Sequence, residues 1–274
     1  MILDRGGRSA AERLAARATL IRTLIIVGFL VVWDLVVRLD LVDPLFLTGP
    51  IGVVKAVGSL AGDPIAREAF SSTGISIVTA FIVGTSAGIV VAAVLGGSKV
   101  LRKAFLAPLL FILSTPKSIF IPIFVLVFGI SGTSAAAFGA FEAFFYVVVN
   151  VLGGIELVED RHLRVARAFR ASRFHKYVDV IGPAALPGLF AALWYGVKHA
   201  FLGVMIAQLW ASRGGIGDLI RTYSTTLQTD YVLAVVLVVT LAAILAGALW
   251  SRVEDRLNRW RGSRGTAVTA GLAG

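Results

Sequence analysis

Ionisable and amide side chains are rare within the long apolar stretches of this sequence, and five of them could do chemistry there. They are Lys117, Glu142, Lys198, His199 and Gln208. An ionisable side chain at membrane depth is costly, so it usually faces a polar pathway or takes part in a buried pair. Two interpretations stay open: the cations Lys117, Lys198 and His199 compensate the charge of an anionic solute, or Glu142 pairs internally with Lys117 or Lys198.

The sequence shows no constellation of residues for catalysis or for metal binding. His162, His175 and His199 are the only histidines, and they lack the spacing of metal ligands. There is no Ser-His-Asp order with a nucleophile turn and no Gly-rich phosphate loop ending in Lys-Ser/Thr. Cysteine is absent, which excludes disulfides and thiolate metal sites. We therefore expect a chain that is no enzyme and binds no cofactor or metal of its own.

A second group of charged residues recurs at every third position between two apolar stretches. These basic residues are Arg161, Arg164, Arg167, Arg170, Arg173 and Lys176. Leu163, Ala166 and Phe169 lie about one helical turn apart in the same segment, which predicts a short amphipathic helix. Such a helix could lie on anionic lipid headgroups or dock into a groove of a partner protein. The pattern alone supports both interpretations equally.

The composition indicates which elements must position these residues. Of the 274 residues, 57% are hydrophobic and 15% are charged, whereas soluble domains carry about a quarter charged residues. Runs of about 20 apolar residues can cross the hydrocarbon core of a bilayer, and six such runs are present. They are Leu20–Val37, Gly74–Leu95, Phe105–Phe128, Ala135–Leu152, Leu186–Leu209 and Val232–Trp250. The sequence predicts an all-α integral membrane protein with six transmembrane helices.

The distribution of Lys and Arg predicts the orientation of these spans. The chain before Leu20 and after Trp250, residues 96–104 and residues 153–185 fall on one side and hold 18 basic residues, whereas the opposite loops hold five. Because Lys and Arg are enriched in cytoplasmic loops, both termini are expected in the cytoplasm. We therefore predict a cytoplasmic tail over residues 1–19, a transmembrane domain over 20–252 with a cytoplasmic loop at 156–186, and a second tail over 253–274. The net charge of +10 is explained by this bias, and no nucleic-acid partner is expected.

The arginine-rich segment resembles the "EAA" loop of binding-protein-dependent ABC permeases. That loop reads Glu-Ala-Ala, three residues, Gly, nine residues and then Ile-x-Leu-Pro. With Arg170 at the place of the motif glycine, the initial triplet falls on residues 164–166. Ala166, Val180 and Pro183 then match the pattern.

The segment is more similar still to the branch of nitrate, sulfonate, taurine and bicarbonate permeases, whose usual run is Ala-Arg-x-Leu-Gly-Ala-Ser. Here the run is Ala166-Arg167-Ala168-Phe169-Arg170-Ala171-Ser172, again with arginine in place of glycine. The similarity extends over residues 47–260, and three further blocks follow in the order and spacing of that branch. They are Thr115-Pro116-Lys117 with Ile121-Pro122 and Phe128-Gly129, Asn150 with Gly153-Gly154, and Gly214-Gly215-Ile216-Gly217 with Asp230-Tyr231.

The resemblance implies a type I ABC importer permease, similar in fold to the methionine-importer permease, in the inner membrane of a bacterium. The resemblance further implies that two copies of the permease form a homodimer over two ABC ATPases, which bind ATP and Mg, and that an external binding protein delivers the solute. The loop would seat in the ATPases as a coupling helix. The residues implied in coupling are Arg164, Ala166, Arg167, Ala168, Phe169, Arg170, Ala171, Ser172 and Pro183.

The nature of the solute stays open between two classes. A small organic or inorganic anion, such as a sulfonate, taurine, nitrate or a carboxylate, fits the cations predicted within the spans, and we expect Lys117, Glu142, Lys198, His199 and Gln208 along the translocation path. A neutral heterocycle, such as a vitamin or pyrimidine precursor, is the alternative within the same machinery. Outside transport, the alternatives are a membrane anchor or assembly subunit and a self-sufficient channel.

Overall fold

Long apolar runs fold as helices in this protein because a helix satisfies its backbone hydrogen bonds within one segment. The computed structural model describes residues 5–43, 45–156, 164–166, 168–169, 172 and 175–258. The helices of the described residues are α1 (Arg5–Arg38), α2 (Pro50–Gly62), α3 (Pro64–Gly96), α4 (Lys99–Ser114), α5 (Ile121–Phe128), α6 (Gly132–Glu156), α7 (Gly182–Ala211), α8 (Ile216–Thr225) and α9 (Thr229–Asn258). A 3₁₀ turn, Lys117–Phe120, precedes α5, and a π-helical segment, Lys176–Ile181, precedes α7.

Five helices are long and apolar enough to cross a membrane. They are α1 from Arg13, α3, α6, α7 and α9 to Glu254. The helix α4 and the segment Lys117–Phe128 form a further apolar pair, bent by 91° at their junction, which makes a sixth span if the pair crosses as one. The prediction of an all-α membrane protein is confirmed, and the third predicted span, Phe105–Phe128, is bent rather than continuous.

Proline chemistry explains the bend in that third span. The helix α4 ends at Ser114, and Thr115 follows with an extended backbone (φ −85°, ψ 138°), as expected for a residue before proline. Pro116 then begins the 3₁₀ turn. Pro122 lies in the first turn of α5, where its missing N–H removes no helical hydrogen bond. Lys117 is therefore the first residue after the break.

The chain divides into two compact units, each described here by itself. The first consists of Met1–Asp63 and Thr222–Val238, and the second of Pro64–Arg221 and Val239–Gly274. In the first unit, Trp33 Nε1 donates a hydrogen bond to the carbonyl of Thr48 (2.9 Å), and Thr229 Oγ1 donates to the carbonyl of Leu45 (2.6 Å). The loop after α1 is thereby fastened to α1 and to the start of α9.

The second unit is built around α3, α6 and α7, which pack through small residues. A Cβ on Gly88 would lie 2.8 Å from Val147 Cγ1, and a Cβ on Gly84 would collide with the carbonyl of Ala140, so both glycines let α3 lie close to α6. Small residues permit such close approach of helix backbones within a membrane. Gly84 and Gly88 thus serve packing inside the chain, as their four-residue spacing suggests.

The helices α6 and α7 approach each other most closely at two pairs of glycines. A Cβ on Gly154 would lie 2.8 Å from Gly188 Cα, and a Cβ on Gly203 would lie 2.8 Å from Gly139 Cα. Each pair is separated by 15 residues along both helices, in opposite directions, so the two helices run antiparallel at a constant distance. Their contact has no room for a side chain at either end.

Two predicted boundaries differ from the structure. The sequence places the start of the fifth span at Leu186, after prolines that end the loop, whereas α7 begins at Gly182 with Pro183 in its first turn and Pro187 inside the helix. The helix α1 begins at Arg5, well within the segment predicted as a tail. Arginine is a good helix former, and hydropathy alone does not show how far a helix extends beyond the membrane.

Candidate functional site

Three of the predicted residues meet in a buried cluster inside the second unit. Lys117 lies in the 3₁₀ turn, Glu142 in α6 and His199 in α7. Glu142 Oε2 lies 3.4 Å from Lys117 Nζ and 3.8 Å from His199 Nδ1. The side chains of Lys117 and Glu142 are only 5% and 8% exposed. The structure thus joins Glu142 to Lys117 and His199, which is the internal pair that the sequence left open as one of two interpretations.

Aromatic rings enclose this cluster. The Tyr146 ring stacks on His199 with centroids 3.2 Å apart, and Lys117 Nζ lies 5.0 Å from the centre of the same ring. A cation over an aromatic face is stabilised by the ring quadrupole. Tyr146 was missed in the sequence analysis, although it follows Glu142 by four residues and therefore lies on the same face of α6.

Lys198 differs from Lys117 in its surroundings. Its residue is exposed on α7, and its Nζ lies 5.4 Å from the centre of the Tyr195 ring. No carboxylate forms an ion pair with Lys198 within the described part of the chain. Tyr195 itself is 38% exposed. One exposed face of α7 therefore combines a cation without a counter-ion and an aromatic ring.

Gln208 lies in a separate, fully buried network near the C-terminal end of α7. Thr73 Oγ1 donates to Gln208 Oε1 (2.9 Å) and accepts from the Ile216 N–H (2.8 Å). The Gly217 N–H donates to the same Oε1 atom at 3.3 Å. A Cβ on Gly215 would lie 2.6 Å from Gln208 Nε2. Gln208 and Thr73 thus fasten the glycine-rich loop between α7 and α8 onto α3 and α7.

The predicted coupling segment lies between α6 and α7, and we call residues 157–181 the arm. Residues 164–166 and 168 are helical, and the Phe169 N–H donates to the Val165 carbonyl (3.1 Å). Ala166 is buried, whereas Val165 and Phe169 are 57% and 82% exposed. Arg164, Ala168 and Ser172 are also exposed. The described arm therefore presents large apolar side chains outward.

Other predicted coupling residues fall in different places. Arg167, Arg170 and Ala171 lie outside the described residues. Ser172 Oγ lies 2.8 Å from His175 Nδ1 and accepts a hydrogen bond from the His175 N–H (3.3 Å). Pro183 is exposed in the first turn of α7.

The helices that flank the arm make close contacts near both of its ends. Arg102 Nε at the start of α4 lies 3.3 Å from Glu156 Oε1 at the end of α6. The contact between Gly154 and Gly188 joins the two helices on either side of the arm. These contacts join α6 to α4 and to α7 next to the two ends of the arm. The sequence analysis missed this glycine contact because it depends on two residues 34 positions apart.

The described residues contain no group of three or more His, Cys, Asp or Glu side chains that could hold a metal ion. Within the described residues of the second unit, Glu142, Glu156 and Asp218 each form an ion pair with a cation, whereas Lys198 has no carboxylate partner.

Comparison with known proteins adds an independent line of argument. A family model described as "Binding-protein-dependent transport system inner membrane component" matches residues 84–262. The chain is 29% identical over 236 residues to the Bacillus subtilis protein named as an aliphatic sulfonates transport permease, SsuC, covering 85% of this chain and 84% of that one.

Two further relatives carry related names. The chain is 29% identical over 239 residues to the taurine transport system permease protein TauC of Escherichia coli, covering 85% of this chain and 86% of that protein. It is 29% identical over 200 residues to the nitrate import permease protein NrtB of Synechococcus elongatus, covering 69% of this chain and 71% of that protein.

Proposed function

The chain belongs to the family of binding-protein-dependent transport system inner membrane components, and from this premise we propose that it forms the path by which an ATP-driven importer carries a small anion. It is an integral membrane permease of the ABC importer type. These relatives are named for aliphatic sulfonates, taurine and nitrate. We assign a small organic or inorganic anion as the solute class of this chain.

Lys198 is the observation that carries this assignment. A lysine at mid-span is costly unless it faces a polar pathway or a counter-charge, and Lys198 is exposed without an ion-pair partner within the described residues. Lys117, in contrast, is buried and neutralised by Glu142. The transported anion supplies the negative counter-charge for Lys198, and the exposed ring of Tyr195 lies beside this lysine.

The path requires partners that this chain does not supply. Two permease copies form the pathway, two ABC ATPase subunits bind ATP and Mg, and an extracytoplasmic binding protein delivers the solute. The arm docks into the ATPases through Phe169 and Val165, because large apolar side chains with 82% and 57% exposure are expected to be covered by a partner. Gly154 and Gly188 at its base then carry the motion into α6 and α7.

The orientation follows from the same assembly. The arm and both termini lie in the cytoplasm, and the loops before α3 and between α7 and α9 face the binding protein. The excess of basic residues in the tails and the arm supports this orientation. Lys and Arg near the ends of the spans also hold the protein at the lipid headgroups.

Uptake by reconstituted complexes tests the proposal. The permease, its ATPases and its binding protein are placed in liposomes with internal ATP, and uptake of labelled taurine, nitrate and a labelled pyrimidine is compared. We expect anion uptake, a loss of at least tenfold in Lys198→Ala, and partial recovery in Lys198→Arg. Lys99→Ala, which changes an exposed lysine at the start of α4, away from the loops that face the binding protein, is the matched control and should transport normally.

The rival functions predict different results in the same experiment. Uptake of the pyrimidine without any anion would assign a neutral heterocycle instead. Uptake that is unaffected by Lys198→Ala would remove this lysine from the path. Flux in liposomes with the permease alone would indicate a channel, and intact uptake after replacement of the arm by a flexible linker would indicate an anchor or assembly role.

A further inference from the structure

The second unit consists of a tightly packed group of helices and a bent segment beside it. The helices α3, α6 and α7 touch through glycines whose backbones leave no space for a Cβ, including Gly139 with Gly203 and Gly154 with Gly188. Close-packed contacts of this kind are not continuously deformable. We therefore treat α3, α6 and α7 as one rigid body. The bent segment is α4, the 3₁₀ turn and α5.

The bent segment contacts the rigid body through aliphatic side chains, such as Leu109 and Ile121, and through aromatic rings. Phe120 packs edge-on against Phe141 (5.6 Å between centroids), and Phe124 packs against Phe138 and Phe141 (5.5 and 5.4 Å). Aromatic pairs prefer particular ring geometries, but their separation leaves no uncompensated charge. They therefore resist movement of the segment less than a buried ion pair does.

Ion pairs supply the directional contacts between the two. Within the described residues, two ion pairs join the bent segment to α6: Arg102 with Glu156, and Lys117 with Glu142. The first is partly exposed, with side chains 21% and 52% accessible, and lies at the base of the arm. The second is buried, with side chains only 5% and 8% exposed, and lies at the bend. Any movement of α6 away from the bend must separate Lys117 from Glu142.

Separation of a buried ion pair is costly because each ion loses its counter-charge in a medium of low dielectric constant. A replacement anion removes most of that cost. We propose that Glu142 is a resident counter-anion that holds Lys117 in the resting permease, and that the transported anion takes its place at Lys117 when the ATPases move the rigid body. Glu142 is then a positioning residue that links solute binding to movement.

The proposal rests on the proposed function in one respect, since the replacement charge is the transported anion. It goes beyond it by giving Lys117 and Lys198 different roles. Lys198 is available to the anion at all times, whereas Lys117 becomes available only after it leaves Glu142. We call the Lys117–Glu142 ion pair the latch. Without an anion the latch stays closed, and the complex hydrolyses little ATP.

Kinetics of three variants test this role. Glu142→Gln removes the resident charge at nearly constant volume, so Lys117 can bind the anion in the resting state. We expect the KM for anion uptake to fall at least threefold, the maximal uptake rate to fall at least fivefold, and ATP hydrolysis without solute to rise at least threefold. Lys117→Gln should also raise ATP hydrolysis without solute, but without a lower KM. Glu142→Asp should recover most of the wild-type values.

The charge-exchanged variant Lys117→Glu/Glu142→Lys separates a latch from a generally destabilised fold. It restores an ion pair between the same elements, so ATP hydrolysis without solute should return to within about twofold of the wild-type rate. Equal KM values in wild type and Glu142→Gln would overturn the proposal. A charge-exchanged variant that hydrolyses ATP as fast as Glu142→Gln would do so as well.

A distance measurement provides a readout that does not depend on transport. The chain has no cysteine, so spin labels can be placed at Leu126→Cys on α5 and Val90→Cys on α3, which are 85% and 62% exposed. The labelled chain, diluted with unlabelled chain in the complete complex, should give one distance. Glu142→Gln should give a second distance in at least a tenth of molecules, and the charge-exchanged pair should remove it.

The outcomes of the two measurements are distinguishable. A single, unchanged distance in Glu142→Gln would overturn the latch while leaving the role of Lys198 in uptake intact. A second distance in Glu142→Gln, in a complex that imports a neutral heterocycle and no anion, would show that the ion pair restrains the bent segment. It would nevertheless overturn both the replacement of Glu142 by an anion and the proposed solute class.

Discussion

The close contact between Gly154 and Gly188 allows a quantitative prediction about protein stability. The adjacent residue Gly153 serves as the control position. A Cβ on Gly154 would lie 2.8 Å from Gly188 Cα and 3.2 Å from the Ala185 carbonyl oxygen, whereas a Cβ on Gly153 has nothing within 4 Å. Both atoms near Gly154 belong to backbone, so no side chain can rotate away. The substitutions Gly154→Ala and Gly153→Ala therefore differ in this contact alone.

The magnitude follows from two opposing effects. Alanine stabilises a helix interior relative to glycine by about 1 kcal/mol, and this gain applies equally to both positions of α6. Insertion of a methyl group into a close-packed contact costs about 1–3 kcal/mol. Gly153→Ala should be neutral or slightly stabilising. The difference in the free energy of unfolding between the two variants, in which helix propensity cancels, should be about 1–3 kcal/mol.

Reversible unfolding in mixed micelles measures this difference. The protein is titrated with SDS, and the fluorescence of its five tryptophans reports unfolding. ATP-driven uptake by the same variants shows whether the contact also transmits motion, in which case Gly154→Ala should lose uptake and Gly153→Ala should keep it. Two variants that agree within about 0.5 kcal/mol would refute the close contact of α6 and α7 at the base of the arm.

Three further predictions concern the arm and the loop after α7. Phe169→Ser removes an exposed apolar side chain and should reduce ATPase recovery in affinity purification at least tenfold, with the chain still in the membrane fraction. Gly215→Ala should destabilise the protein by about 1–3 kcal/mol more than Gly214→Ala. Both glycines have positive φ, but only a Cβ on Gly215 would contact Gln208. Equal stabilities of the two variants would contradict this prediction. Thr73→Val should cost about 1–3 kcal/mol by leaving buried groups unpaired, as chemical unfolding would show.

The spans and the family could be predicted because their signals are local. A run of about 20 apolar residues is visible in the sequence, and the blocks around the arm are read in order along it. The prediction of the family is confirmed by the match over residues 84–262. Pro116 and Pro122 interrupt the third apolar run in the sequence itself, and proline disfavours a helical conformation in the residue before it, so the bend at Pro116 also has a local signal.

The partners within the buried cluster could not be predicted in the same way. Sequence spacing places Glu142 and Tyr146 on one face of α6, but the face opposite them depends on how α6 lies against α7 and the 3₁₀ turn. That arrangement decides that Glu142 meets Lys117 and His199 while Lys198 faces outward. The contribution of residues that lie outside the described part of the arm, Arg167, Arg170 and Ala171, stays a prediction.

Similar reasoning applies to Gln208. Its position near the end of an apolar run suggested the translocation path, and the structure places it at 0% exposure between Thr73 and the glycine-rich loop. The partners come from α3 and from beyond α7, so no local pattern reveals them. Burial of the amide in a network is a tertiary property.

Reconstitution with and without partners tests the central claim most directly. The permease is placed in liposomes alone, with its ATPases, and with ATPases, binding protein and internal ATP, and uptake of a labelled sulfonate is followed. We predict uptake only in the complete system, abolished by Phe169→Ser. Flux through the permease alone, or ATP-driven uptake that persists in Phe169→Ser, would contradict the account.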